Sequence, residues 1–221
     1  MQNRSPLDSV RVSNGVAGSL MARTLGYLTL LLLILGVAAA VSPFFGTSVL
    51  WIGVGAALLG TIFVSRNVAR AGRAFLWGTV VAIGMGFLVG PVVWSVALSD
   101  GNLLWSSIAV LLLAIAFSAA LVSWLPWDFS KLTPLLFVGL LMLVAVSLLS
   151  WIIPGLTGVT MSRTFNLIGT LVFIGYLIVD FSLMRWRGRA MPAEGTAVVL
   201  AVSILIDIVN LFLFILRLGR G

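Results

Sequence analysis

LIGTLVFIGYLIVDFSLM (167–184) and VVLAVSILIDIVNLFLFIL (198–216) are the two stretches whose reading decides the fold. Both are apolar and long. About 20 helical residues, at 1.5 Å rise each, cross the roughly 30 Å hydrocarbon layer of a bilayer. Each run also carries one acid, Asp180 in the first and Asp207 in the second. A charged carboxylate at that depth costs roughly 2.5 to 3.5 kcal/mol even on the mildest insertion scale. Some interaction must offset that cost, so the two acids are the first candidates for function.

The rest of the chain has the same solvent. Of 221 residues, 61% are hydrophobic and 9% charged, and the mean hydropathy is +1.22. There is too little polar surface to cover a soluble globule. Seven apolar windows fit without overlap, near 25–43, 47–65, 74–98, 103–124, 132–153, 164–184 and 197–217. The expected class is an all-α integral membrane protein: a cytoplasmic N-terminal segment over 1–24, then a single seven-helix domain over 25–221. No internal repeat is visible, and an odd number of spans argues against a simple inverted-repeat transporter. Cysteine and histidine are both absent. That excludes disulfides, thiolate nucleophiles, thiolate or imidazole metal centres and histidine acid/base chemistry.

The net charge of +7 would point to nucleic acid in a soluble protein. Here no soluble fold remains to present it, and the basic residues read as topology signals. One set of span ends carries Arg4, Arg11, Arg23, Arg66, Arg70, Arg73, Lys131, Arg185, Arg187 and Arg189; the other carries Arg163, Arg217 and Arg220. The positive-inside rule makes the first set cytoplasmic, with the N-terminus inside and the C-terminus outside. Arg23 ahead of LGYLTLLLLILGVAAAVS (25–42) has the outline of a secretory signal. The long polar lead before it and the continuation toward Pro43 favour a retained first helix instead.

Small residues mark close helix packing. Gly78, Ala82, Gly86 and Gly90 recur every four residues in the third window, and Gly53, Ala57 and Gly60 form a similar face in the second. Gly90-Pro91 is expected to break or kink the third helix, because proline removes a donor and crowds the preceding turn.

On the last helix Ser203, Asp207, Asn210 and Arg217 share a face, and on the one before it Asn166, Phe173, Tyr176 and Asp180 form a comparable stripe. The short loop RWRGRAMPAEG (185–195) makes these helices antiparallel neighbours, so the two acids reach a similar depth and can meet. Two carboxylates about 4 Å apart repel by about 4 kcal/mol at an effective dielectric near 20. The pair is expected to hold one shared proton and to release it near neutral pH as a coupled system. Once it is lost, two negative charges either separate the helices or recruit a cation. Hard oxygen ligands suit Ca²⁺ best among common divalent ions.

YLIVDFSLM (176–184), the short basic loop and SILIDIVNLFLFILRLGRG (203–221) together resemble the C-terminal signature of the Bax inhibitor-1, or transmembrane BAX inhibitor motif, family. Its members carry an aspartate in the sixth helix and an L-x-x-D-x-x-N-L-F-x-x-L-L-R-type seventh helix. The match is specific over about the last fifty residues and rests on topology and hydropathy elsewhere. The resemblance implies a seventh helix at the centre, wrapped by the other six, with Asp180 and Asp207 as a pH-sensing pair. It also implies a bacterial inner-membrane protein with a pH-dependent calcium leak, and a latch arginine at the cytoplasmic end of the second helix. Arg66 fits that position, with Arg70 and Arg73 as alternatives. Two departures stand out: GVGAALLGTIFV (53–64) has no acid where some members carry one in the second helix, and the chain ends at Gly221 without the charged tail of eukaryotic members.

The expected function is therefore a pH-sensitive cation leak, Ca²⁺ above all, with Asp180 and Asp207 as proton and ion site and Tyr176, Ser203 and Asn210 as a supporting polar face. Lipids, protons and Ca²⁺ are the expected partners, with no cofactor. The alternative is a non-conducting regulator that binds other membrane proteins, such as a quality-control protease, through its arginine-rich loops. Enzyme readings fail on residues: there is no histidine for a serine protease, Lys131 at a membrane edge is the sole lysine, and the Y-D and G-x-G-D contexts of aspartyl intramembrane proteases are absent.

Overall fold

Runs of Leu, Ile, Val and Ala without interior breakers satisfy their backbone groups internally only as helix, which is what a bilayer demands. A computed structural model of the chain describes residues 6–46, 48–125, 127–187 and 194–220, and among them there is no strand. The helices are α1 (Pro6–Val41), α2 (Ser48–Arg66), α3 (Ala71–Ser99), α4 (Gly101–Trp124), α5 (Thr133–Ile152), α6 (Thr157–Met161), α7 (Arg163–Arg187) and α8 (Thr196–Arg220). All but α6 supply membrane-length apolar segments: Leu20–Phe45, Val49–Arg66, Ala71–Ser99, Gly101–Trp124, Phe129–Ile152, Arg163–Trp186 and Thr196–Arg220. The seven expected spans thus stand, with ends shifted by a few residues. Exposed tryptophans, Trp51, Trp105, Trp124 and Trp151, lie near span ends, where amphipathic rings sit at the lipid headgroups.

Two differences from expectation concern continuity. Helix α1 starts at Pro6, well before the expected first span, because helix elongates from an apolar nucleus at little cost per residue. Helix α3 runs unbroken through Pro91. A membrane helix tolerates an interior proline when its surroundings re-satisfy the freed carbonyl. A third feature was not expected at all: the connection after α5 folds into a short 3₁₀ turn, Pro154–Leu156, and the five-residue α6.

The chain divides into two compact units, Met1–Pro91 with Ser182–Leu205, and Val92–Phe181 with Ile206–Gly221. In the first unit small residues let backbones meet. A Cβ added at Gly84 would stand 2.7 Å from the Gly53 carbonyl oxygen, and one at Gly60 2.7 Å from Val81. The stripe read from sequence meets α1 along its length: Gly86 faces Leu35 and Ala38, and Gly78 faces Leu31 of α1 together with Val198 and Val202 of α8. Stacked Phe63 and Trp77 rings, 4.3 Å apart, reinforce the contact of α2 with α3. The start of α8 is tied to the α2–α3 connection by Gly195 N–H donating to the Val68 carbonyl at 2.9 Å.

In the second unit Asp100 joins α3 to α4 as an N-cap, its carboxylate accepting from Leu103 N–H at 3.0 Å. Asp128 does the same for the turn before α5, accepting from the amide and hydroxyl of Ser130. Among the seven spans, burial runs from 11% of the fifth to 50% of the sixth and 72% of the last. Helix α8 is the most withdrawn from its surroundings, which is where an intramembrane acid is least costly to keep.

Candidate functional site

Asp180 sits on α7 and Asp207 on α8, both within the second unit. Their exposures are 4% and 6%, so neither carboxyl faces lipid. The Asp207 carboxyl lies within hydrogen-bonding and electrostatic reach of that of Asp180. Ionised carboxylates only accept, so a hydrogen bond between two of them requires a proton on one. The Oδ2 atom of Asp207 is buried with no hydrogen-bond partner among the described residues.

The supporting residues divide. Tyr176, one turn before Asp180, lies within electrostatic reach of both carboxyls. Asn210 is half-buried and donates its Nδ2 to the Ile206 carbonyl at 2.9 Å, so part of its amide is spent on its own helix. Ser203 is half-buried one turn before Asp207 and belongs to the first unit. Arg217, on the same nominal face, is exposed, with its guanidinium carbon 5.9 Å from the Phe214 ring centre. The polar face of α8 is therefore buried at the acid and fades toward the helix end.

Arg66 closes α2 with an exposed side chain, and Arg70 and Arg73 are exposed as well. Arg4 and Arg189, counted among the topology signals, lie outside the described residues, as do the side chains of Arg11 and Arg187.

An aromatic file leads from the pair toward the start of α7, and the sequence reading named only part of it. Tyr176 neighbours Phe173 with ring centres 6.1 Å apart, Phe173 stacks on Phe214 at 5.7 Å, and Phe214 meets Phe165 at 6.1 Å. Beyond it Asn166, fully buried, donates its Nδ2 to the Ser162 carbonyl at 2.9 Å, and its backbone carbonyl accepts from the Thr170 hydroxyl at 2.8 Å. Phe214 carried no signal in sequence beyond its hydrophobicity.

Among the described residues no group of three or more carboxylate, imidazole or thiol ligands comes together. Two carboxyls offer at most four oxygens, short of the six to eight that hold Ca²⁺.

Seven membrane-length helices, the last two each with a buried acid, define a polytopic membrane protein. The family model described as "Inhibitor of apoptosis-promoting Bax1" matches residues 18–220, and the chain belongs to this Bax inhibitor-1 family. It is 29% identical to a BI1-like protein of Arabidopsis thaliana over 141 residues, covering 62% of this chain and 52% of the relative. It is 32% identical to Bax inhibitor 1 of Schizosaccharomyces pombe over 93 residues, covering 42% of this chain and 32% of the relative. The matches thus span about half and about a third of these relatives' lengths.

Proposed function

We propose that the Asp180/Asp207 pair is a proton-controlled gate for a cation leak, with Ca²⁺ as cargo. The observation that carries this reading is that two nearly fully buried acids, one on α7 and one on α8, lie within reach of each other. With one shared proton the pair holds α7 against α8. Without it the two charges repel by about 4 kcal/mol at 4 Å and an effective dielectric near 20. The resemblance assigns a latch that stabilises the deprotonated state to Arg66, with Arg70 and Arg73 as alternatives. The arginine asymmetry of the span ends supports a cytoplasmic N-terminus, and the resemblance supports a bacterial inner membrane as the location.

The test is Ca²⁺ flux into proteoliposomes across pH 6 to 8. Flux that rises with pH in the native chain and loses that dependence in Asp180→Asn and Asp207→Asn supports the gate. Identical magnitude and pH profile in all three proteins would sink it. The family description, which names an inhibitor of another protein, favours a second reading as a non-conducting regulator. A stoichiometric membrane-protein partner on purification, with no flux from the isolated chain, would decide for that one.

A further inference from the structure

The first unit contains a cavity that the aspartate gate does not use. It has a volume of about 410 Å³ and is lined by Arg23, Gly26, Tyr27 and Leu30 of α1, Ala71 of α3 and Glu194 just before α8. That size is within the roughly 300–1,000 Å³ range of small-ligand sites. Residues 23, 26, 27 and 30 follow helical spacing and occupy one face of α1. Arg23 lies near the start of the Leu20–Phe45 span, and Leu30 is seven residues, about 10 Å, further in. The cavity therefore runs from the depth of lipid headgroups into the depth of acyl chains, with its charges at the polar end.

The wall chemistry is that of a zwitterion site. Arg23 supplies a planar cation that matches phosphate, and Tyr27 a hydroxyl donor on a ring set against Phe75 at 5.4 Å. Ala71 opens α3, whose first-turn amides have no intrahelical acceptor and favour an anion. Glu194 puts a carboxylate on the same wall. Its position is held by the next residue: Gly195 donates to the Val68 carbonyl, and a Cβ at Gly195 would stand 2.7 Å from that oxygen. Leu30 and Gly26 leave the deeper end apolar.

We infer that this cavity binds a membrane phospholipid whose headgroup carries a primary amine beside its phosphate. Arg23 and Tyr27 take the phosphate, Glu194 accepts from the ammonium, and the acyl chains run along Leu30. An interfacial arginine is ordinarily an anchor without headgroup preference. The carboxylate of Glu194 is what selects an ammonium with N–H donors over a quaternary amine, which has none, and over an uncharged glycerol headgroup.

Native mass spectrometry of the detergent-purified full chain tests this with added lipids of identical acyl chains and ethanolamine, choline or glycerol headgroups. The ethanolamine lipid is expected to be retained best. Glu194→Gln should cut that preference by about fivefold, the scale of an exposed charge pair. Arg23→Gln should weaken all three lipids. Gly26→Leu should empty the site without disturbing the fold, because a Cβ at Gly26 meets nothing within 4 Å. Equal retention of the three lipids by the native chain, or a headgroup preference unmoved by Glu194→Gln, overturns the inference. The Glu194 variant alters an exposed side chain, so the experiment stays decisive even if Gly26→Leu fails to fold.

Discussion

Gly169 of α7 and Phe214 of α8 pack so closely that a Cβ added at Gly169 would stand 2.6 Å from Cζ of the Phe214 ring. Phe214 is itself buried and stacked on Phe173, which neighbours Tyr176 beside the acid pair. One methyl group at position 169 thus presses on the aromatic file that leads to the carboxyls.

Gly169→Ala is therefore expected to destabilise the protein by about 1–3 kcal/mol, the usual cost of overpacking a filled interior. Phe214→Leu should relieve the clash. Thermal unfolding in detergent of both single variants and the double variant checks it, since residues in direct contact give a non-additive cycle. Additive effects would mean the two side chains do not compete for the same space.

At the pair itself, Asp180→Asn and Asp207→Asn are each expected to leave a neutral amide where a proton was shared. Flux in either variant should lose its dependence on pH between 6 and 8. On the proposed gate the double variant should add little, because both substitutions remove the same device. A double variant with the sum of two separate effects would show independent sites.

Asp128 lies outside the spans and carries a different pH dependence. Its carboxyl is held below the ordinary range by the Ser130 hydroxyl, then by the Ser130 amide, with the Lys131 charge adding and slight desolvation opposing. A lowered folded value means the stabilisation is full above the unfolded value, about 3.9, and is lost as pH falls through the folded one. Loosening of the turn before α5 should therefore appear only below about pH 4. Asp128→Asn keeps an acceptor for Ser130 and should flatten that acid limb, leaving the pH 6 to 8 flux profile unchanged. Melting temperature followed from pH 3 to 7 measures it.

In the first unit Gly53 and Gly84 meet backbone to backbone. A Cβ at Gly53 would lie 2.8 Å from the Gly84 oxygen, and one at Gly84 2.8 Å from the Ala57 nitrogen. Backbone cannot swing aside as a side chain can, so Gly84→Val should cost about 2 kcal/mol or more. Gly55 and Gly72, where an added Cβ meets nothing within 4 Å, should accept alanine with little loss. Comparing the melting temperatures of the three variants separates packing from glycine's effect on helix propensity.

Much of this was legible in the chain alone. Apolar length decides which segments cross a bilayer, because no other solvent tolerates them, so the seven spans and their approximate ends follow from composition. Asp180 and Asp207 stood out because an acid in such a run is costly without a partner, and a short loop between antiparallel helices brings two such acids to one depth. Small-residue spacing announced close helix packing, but spacing has no partner label. Only the tertiary structure decided that Gly84, outside the stripe, meets Gly53, while Gly78 and Gly86 both meet α1 and Gly78 meets α8 as well. The same holds for Phe214 and Glu194, since a phenylalanine among leucines and a lone loop acid gain meaning from what is packed beside them. Periodicity specifies which face of a helix is used, whereas the neighbour on that face is chosen by the shape of the whole fold.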